Sequence, residues 1–211
     1  MINLNLILLK SYVKIIDPGF YTSIQDNGRY GYRNIGFPVS GAMDFYSYQK
    51  SNLLVGNTNN EAALECTIKG PSILFSGPSW VAISGAKTEI LINNKKVKSD
   101  KPFFCDLGDF LKLGNIYDGH RCYISFSGGI ATEKIYGSHS QYYPLTNKSV
   151  INKSDKIPIN GKKTLEKIKL NTFNLKTFDG YIDVFKGPDW EIINNLTKKK
   201  LVDQEFIIGS N

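Results

Sequence analysis

The sequence predicts a mainly β protein with a barrel-like architecture and a few helices. Short runs rich in Val, Ile, Phe and Tyr recur at close intervals, and Gly, Pro, Asn and Asp separate them, as is typical of strands joined by turns. One clear helix pattern interrupts these runs. The 211 residues are 41% hydrophobic and 21% charged, which is typical of a folded globular chain with a sizeable core.

Eight segments carry the strand predictions. They are YVKIID (12–17), SILFS (72–76), WVAISG (80–85), EILINN (89–94), FLKLG (110–114), RCYISFSGG (121–129), YIDVFKG (181–187) and EFIIG (205–209). The segment EILINNKKVKSD also predicts a hairpin. Its turn residues would be Asn93, Asn94 and Lys95, because asparagine tolerates the positive φ that tight turns need.

One helix is predicted from Ala42 to Val55. Ser40 or Asp44 is the expected N-cap, and Gly56 follows as the C′ residue. The apolar residues of this helix are Met43, Tyr46, Leu53 and Leu54.

A second helix is predicted at residues 190–199, with Asp189 as its N-cap. Between residues 141 and 165 the chain turns polar and contains two prolines and several lysines. This composition is typical of a linker or of a long connection between two β units.

The net charge of +7 comes almost wholly from lysine, because Arg29, Arg33 and Arg121 are the only arginines. The lysines are scattered and do not alternate with aromatic residues, so we expect no nucleic-acid partner. The apolar opening segment is far shorter than the ~20 residues that span a bilayer, and it lacks the pattern of a signal peptide. We therefore expect no membrane association.

The cysteines and the missing motifs exclude several kinds of site. Cys66, Cys105 and Cys122 are odd in number and lack CxxC spacing, so we expect no disulfide framework, no metal site and a cytoplasmic location. There is no GxxxxGK[ST], HExxH or GxSxG motif. The chain therefore has no standard phosphate-binding loop of its own. Of the two histidines, His120 and His139, the second lies among hydroxyl side chains, but a loop residue is the favoured interpretation of both.

Residues 22–44, TSIQDNGRYGYRNIGFPVSGAMD, carry the strongest functional signal. Exposed amides and the positive end of the following helix suit an anion, to which Arg29 and Arg33 can add a bidentate clamp. Asp26 and Asp44 can transfer protons or pair with the arginines. An internal network of salt bridges and caps that only fixes the loop explains the pattern equally well. The glycines that make the backbone permissive are Gly28, Gly31, Gly36 and Gly41.

A second glycine-rich segment, RCYISFSGGIATEKIYGSHSQ, spans residues 121–141. The pair Gly128–Gly129 and the run Gly137–Ser138–His139–Ser140 allow close backbone approach and supply hydroxyl donors. A ligand contact and tight packing are equally good interpretations.

Taken in order along the chain, several segments resemble one family. They are IIDPGFYTSIQDNGRYGYRNIGFPVSGAMDFYSYQKSNLLVGN, AALECTIKGPSILF, AISGA, GDFLKLG, GHRCYISFSGGI and YGSHS. The family is the carboxyltransferase type that includes the C-type subunit of the bacterial ATP-dependent 5-oxoprolinase, the second carboxyltransferase subdomain of urea carboxylase (allophanate hydrolase subunit 2) and the antagonist of a sporulation-kinase inhibitor. The resemblance is strong over residues 14–140 and continues weakly through KSDKIPI and VFKGPDW.

The resemblance implies a cyclophilin-like β-barrel with an attached α+β portion. Residues 1–140 would form the first carboxyltransferase-type subdomain and residues 141–211 an incomplete second β subdomain. The implied reaction hydrolyses 5-oxo-L-proline to L-glutamate, with ATP used by a complex that also contains A-type and B-type subunits of the 5-oxoprolinase. Biotin is not expected as a cofactor.

The resemblance and the chemistry of the loop together give a set of site residues. Asp26 and Asp44 are the catalytic candidates. The small anionic substrate would be bound by Gln25, Arg29, Arg33, Ser40, Gly41, Arg121 and Ser138.

Two features depart from the family pattern. Relatives carry Ser-Arg-Ser-Thr where this chain has Ser138–His139–Ser140–Gln141, and they continue beyond the segment EFIIGSN. We therefore expect a C-terminally truncated barrel that is inactive alone. Three alternatives stay open: a carboxyltransferase subunit that acts on urea or another amide with carboxybiotin, a non-enzymatic regulator that binds a kinase-inhibitor protein, and an inactive remnant.

Overall fold

The computed structural model describes residues 11–58, 60–164 and 185–205. The chain forms two compact units, residues 1–171 and 172–211. In chain order the elements are β1 (Tyr12–Asp17), β2 (Tyr21–Gln25), a 3-10 turn (Arg33–Ile35), α1 (Phe45–Leu54), β3 (Ala63–Thr67), β4 (Ser72–Phe75), β5 (Ser79–Ile92), β6 (Lys95–Lys96), β7 (Phe103–Cys105), β8 (Phe110–Phe126), β9 (Lys156–Pro158), a second 3-10 turn (Pro188–Ile192) and α2 (Asn195–Asp203).

The strands form one antiparallel sheet that curls into a half-barrel, so the predicted mainly β class is confirmed. The order is β2-β3-β8-β4-β1-β9, and the long strand β5 pairs with β8, β6 and β7. Each of β5 and β8 joins two segments that the sequence predicts as separate strands. Register shifts between Gly85 and Thr88 let β5 bend without ending, because a bulge kinks a strand while its pairing continues.

The predicted hairpin is present between β5 and β6. Leu91 pairs with Lys96, and Ile92 pairs with Lys95. The two turn residues, Asn93 and Asn94, have φ values of 48° and 65°. A two-residue turn with positive φ at both positions matches the twist of the flanking strands, which explains the asparagine pair.

The core of the first unit fills the concave side of the sheet with alternate residues of its strands. An irregular segment, residues 141–155, then connects the two sides of the half-barrel. Ile151 N donates to the Thr22 carbonyl in β2, and Ile15 N in β1 donates to the Asp155 carbonyl. The largest apolar side chains of this core are Ile15, Leu64, Ile73, Phe75, Ile83, Leu111, Leu113, Ile124 and Phe126. The polar stretch after residue 140 thus packs as part of the first unit over residues 141–164.

Helix α1 lies against the other face of the sheet, where it contacts β5 and β8. The side chain of Asp44 accepts a hydrogen bond from Ser47 N, so Asp44 is the N-cap. Val55 is the C-cap, and Gly56 follows with a φ of 76°. The predicted helix is confirmed, although its first residue is Phe45 and not Ala42.

The buried face of α1 differs in part from the expected apolar set. Met43 is 71% exposed and Tyr46 is 37% exposed, whereas Ser51 and Asn52 are buried. Ser51 Oγ lies 2.7 Å from Ser125 Oγ in β8, and Asn52 Nδ2 donates to the Glu61 carbonyl. Leu54 is buried as expected, so apolar spacing identified only part of this face. Hydrogen bonds satisfy the polar side chains that form the rest of it.

In the second unit the predicted second helix is displaced. Residues Pro188–Ile192 form a 3-10 turn, and α2 begins only at Asn195. Its N-cap is Asn194, whose side chain accepts from Thr197 N, so the expected N-cap Asp189 is wrong. Proline fits the first turn of a short helix because its missing N–H has no partner there.

Several expectations stay predictions. Residues 181–184 and 206–209, which contain most of two predicted strands, lie outside the described residues. The subdomain division at residue 140 is likewise still a prediction. Within the described residues, no helix has both the length and the apolar character that crossing a membrane requires.

Replacing Ile151 by Ala tests how the irregular segment packs. Ile151 is 3% exposed in the core, so the change should lower the free energy of unfolding by about 2–4 kcal/mol, as buried large-to-small changes do. The matched control is Leu107→Ala, at a position that is 73% exposed. This change should alter the free energy of unfolding by less than about 0.5 kcal/mol. Urea denaturation measures both, and equal effects would show that this segment does not pack into the core.

Candidate active site

The loop between β2 and α1 closes on itself at its base. Arg29 N donates to the Val39 carbonyl at 2.8 Å, and Ala42 N donates to the Asp26 carbonyl at 2.9 Å. Gly28 has a φ of 87°, and a Cβ there would lie 2.6 Å from the Val39 oxygen. Only glycine therefore allows the two sides of the loop to approach this closely.

The carboxylate of Asp26 is the centre of the loop. Its Oδ1 accepts from Gly28 N at 2.8 Å and from Ser138 Oγ and Ser140 Oγ, both at 2.6 Å. Its Oδ2 accepts from His139 N at 2.6 Å. Asp26 is 4% exposed, so its charge is neutralised by these four donors and by the nearby Arg29 rather than by solvent.

The pKa of Asp26 follows from two opposing effects. Burial alone would raise the pKa, because it penalises the charged form. The hydrogen bonds from Ser138, Ser140, His139 N and Gly28 N together outweigh burial and lower the pKa below its usual value. Asp26 is therefore ionised at neutral pH and is a weak proton acceptor.

The guanidinium of Arg29 is almost completely buried, at 1% exposed. Nη1 donates to Ser40 Oγ at 2.9 Å, and Nη2 donates to the Ser140 carbonyl. Nε has no hydrogen-bond partner in the described part of the chain. Burial lowers the pKa of Arg29, while the charge of Asp26 opposes that shift. Arg29 thus bridges the loop to residues 138–140.

A second network lies where the loop enters α1. The carboxylate of Glu65 accepts from Met43 N at 2.8 Å and from Tyr123 OH at 2.7 Å, and Tyr123 OH accepts from Asp44 N at 2.7 Å. Glu65 Oε1 also lies 3.5 Å from Arg121 Nε. The amides of Met43 and Asp44, just before α1, are therefore hydrogen-bonded within the protein, and Arg121 forms an ion pair with Glu65.

The remaining predicted residues are placed as follows. Gln25 is buried and its Nε2 donates to Ser23 Oγ at 3.0 Å, whereas its Oε1 has no partner among the described residues. Gly41 has a φ of 92° beside the loop base. Arg33 is exposed in the 3-10 turn at the outer end of the loop.

The structure separates the predicted set into three groups. Asp26, Arg29, Ser40 and Ser138 form one network, Asp44 and Arg121 belong to the network of Glu65, and Arg33 lies apart. The proposed carboxylate pair of Asp26 and Asp44 is thus divided between two networks, and their catalytic role stays a prediction.

The sequence analysis missed Glu65 and Tyr123, and it named Ser140 as a hydroxyl donor without assigning it to the site. Glu65 did carry a signal, because it is a single charged residue within the otherwise apolar strand pattern AALEC. Its face of β3 contacts Tyr123 of β8, so burial of this carboxylate requires partners there.

His139 is half-buried beside these networks. Its Nδ1 lies 3.2 Å from Thr132 Oγ1. Burial lowers its pKa, and Asp26 opposes the shift, so the ring is neutral at physiological pH. Among the described residues, no group of three His, Cys, Asp or Glu side chains is placed to hold a metal ion.

The family model for the carboxyltransferase domain, subdomain A and B, matches residues 35–211. The urea amidolyase of Lachancea kluyveri is 40% identical over 130 residues, which are 61% of this chain and 7% of that protein. The C-type subunit of the Escherichia coli 5-oxoprolinase is 30% identical over 182 residues, which are 84% of this chain and 58% of that protein. The chain thus spans only part of the length of each relative.

Solved structures show the same fold. The crystal structure of the Kluyveromyces lactis urea carboxylase superimposes with a TM-score of 0.68 and 33% sequence identity. The match covers 79% of this chain and 15% of that enzyme.

Replacing Asp26 by Asn tests its central position. The variant loses the charge and turns an NH2 group toward donors, so the free energy of unfolding at pH 7 should fall by about 2–4 kcal/mol. Asp44→Asn is the matched control. It should lower the free energy of unfolding by only a few tenths of a kcal/mol, because asparagine caps helices as well as aspartate does.

The same comparison has a signature in its pH dependence. The pKa of Asp26 is lower in the folded state than in the unfolded chain. The ionised carboxylate therefore stabilises the fold fully above the ordinary pKa of aspartate, and this stabilisation is lost as the pH falls through the pKa of the folded state. The difference in the free energy of unfolding between the wild type and Asp26→Asn should therefore shrink as the pH falls into the acid range. Urea denaturation between pH 7 and acid measures this, and a constant difference between the two proteins would refute the assignment.

Proposed function

The chain belongs to the carboxyltransferase family of subdomains A and B, and from this premise we propose that it is the C-type subunit of an ATP-dependent 5-oxoprolinase. The proposed complex hydrolyses the lactam of 5-oxo-L-proline to L-glutamate. The observation that carries the proposal is the 30% identity to the C-type subunit of the Escherichia coli enzyme over 84% of this chain. Since that relative is one subunit of a larger enzyme, we infer that this chain also acts with partners of the A and B types.

The loop geometry supports a role that depends on partners. Both Nη groups of Arg29 are hydrogen-bonded within the chain, and so are the Met43 and Asp44 amides that precede α1, so these groups are not free to bind an incoming anion. Ser138 and Asp26 are likewise bonded to each other. The chain therefore supplies a rigid scaffold at the site, and we propose that the A-type and B-type partners supply the nucleotide-binding and further catalytic groups.

We assign Asp26 as a positioning residue of this site. A carboxylate with a lowered pKa and four donors is a poor proton acceptor at neutral pH. Its contribution is to fix residues 138–140 against the loop, which keeps the backbone of the loop in one arrangement. Asp44 has the corresponding role at the start of α1.

A urea carboxyltransferase is the second candidate function. The observation that favours it is the 40% identity to a urea amidolyase, although over only 130 residues. In that case a carboxybiotin would deliver the carboxyl group to urea or another amide. We propose that ATP is used by the complete complex and that biotin is not needed, which separates the two candidates experimentally.

A reconstituted complex tests the proposal directly. The chain is co-expressed with its candidate A-type and B-type partners, and release of ADP and L-glutamate is measured with 5-oxo-L-proline as substrate. We expect activity only when all three are present. Activity without this chain would remove the assignment, and urea-dependent turnover that requires a biotinylated partner would favour the second candidate.

Arg29 variants test the scaffold within that complex. Arg29→Ala should lower the rate by about 100-fold, because displaced site groups lose their alignment. Arg29→Lys should rescue it poorly, since an ammonium group lacks the planar fork that reaches both Ser40 Oγ and the Ser140 carbonyl. The control Lys96→Ala, at an exposed surface pair, should leave the rate unchanged. Unchanged rates and unchanged KM for Arg29→Ala would contradict this role.

A further inference from the structure

An open surface cavity is formed by residues of the same loop, most of which are exposed. Its volume is about 550 Å³, which is room for a small molecule bound at the surface. The lining residues are Tyr30, Gly31, Arg33, Asn34 and Val39. They combine an aromatic ring, an aliphatic side chain, a carboxamide and one guanidinium, and no carboxylate is among them.

Arg33 differs from the other two arginines in its partners. Arg29 is buried in hydrogen bonds, and Arg121 pairs with Glu65. The guanidinium of Arg33 has no ion pair or hydrogen bond to another described residue, and its side chain is exposed. An unpaired guanidinium in a cavity without carboxylates attracts an anion and can hold it through two parallel hydrogen bonds.

The backbone that carries Arg33 is held in place from both sides. The Tyr32 carbonyl accepts from Ile35 N at 3.2 Å and from Phe37 N at 3.1 Å. The rings of Tyr32 and Phe37 lie 4.7 Å and 5.1 Å from the ring of Tyr136. These contacts reduce the conformational entropy that binding at Arg33 would otherwise lose.

The charge of the cavity limits the ligand class. One guanidinium matches the single charge of a carboxylate, whereas a nucleotide triphosphate needs several cations or a cradle of backbone amides. The Tyr30 ring and Val39 suit the apolar faces of a small ring, and Asn34 can both donate to and accept from an amide. The lining thus offers a chemical partner for each part of a compact monocarboxylate that contains a planar amide.

We propose that this cavity binds the carboxylate of such a ligand on Arg33, with the ligand ring against Tyr30 and its amide near Asn34. The identification of the ligand as 5-oxo-L-proline rests on the proposed function, whereas the binding of a carboxylate at Arg33 does not. Tyr30, Asn34 and Val39 are therefore assigned as ligand contacts in addition to Arg33.

Binding to the isolated chain tests the site without any turnover. NMR titrations of the ¹⁵N-labelled chain use 5-oxo-L-proline and 2-pyrrolidone, which has the lactam without the carboxylate. We expect amide shifts of residues 30–39 with the first probe and an affinity for 2-pyrrolidone that is lower by about tenfold or more. Equal affinities, or shifts confined to other parts of the chain, would overturn the site.

Arg33 variants separate the site from the proposed reaction. Arg33→Ala should weaken binding of 5-oxo-L-proline by about tenfold or more while the melting temperature stays unchanged, and Arg33→Lys should restore part of the affinity. In the reconstituted complex, Arg33→Ala should raise KM more than it lowers kcat. Lys96→Ala is the control in every measurement.

The outcomes distinguish two kinds of failure. Arg33-dependent binding with no lactam hydrolysis by the complex would refute the proposed function and leave the carboxylate site intact. Hydrolysis with a KM that Arg33→Ala does not change would refute the site and leave the function intact.

Discussion

The buried carboxylate of Asp26 is the interaction on which the rest of the candidate site depends. It joins the start of the loop to Ser138 and Ser140, which are 112 and 114 residues away along the chain. Removing one partner of such a buried charge leaves the other groups unsatisfied, which costs far more than an exposed hydrogen bond contributes. The glycine-rich loop therefore has one arrangement, although its composition alone would allow many.

This constraint divides the polar residues of the loop into two kinds. Arg29 and Asp44 are used within the protein, where they satisfy carbonyl, hydroxyl and amide groups. Arg33 lies outside both networks and faces the cavity. Of the two explanations that the sequence left open, the internal capping network is observed, and the anion site stays a proposal for Arg33, which this network does not use.

Local features of the sequence predicted the fold well, and distant contacts limited the prediction of the site. The Asn93–Asn94 turn and the Asp44 cap were predictable because each depends on neighbouring residues. Arg29 and Arg33 were indistinguishable, since both occupy the same permissive loop and only tertiary packing buries the first. The polar part of the buried face of α1 was not predicted for a related reason: Ser51 and Asn52 are hydrogen-bonded to residues outside the helix.

Hydrogen exchange at individual amides tests the central claim most directly. Gly28 N and His139 N both donate to the Asp26 carboxylate, although both lie in irregular segments. The account predicts that these two amides are protected in the wild type and lose protection together in Asp26→Asn, while Met43 N, which donates to Glu65, keeps its protection. Rapid exchange of Gly28 N and His139 N in the wild type would contradict it.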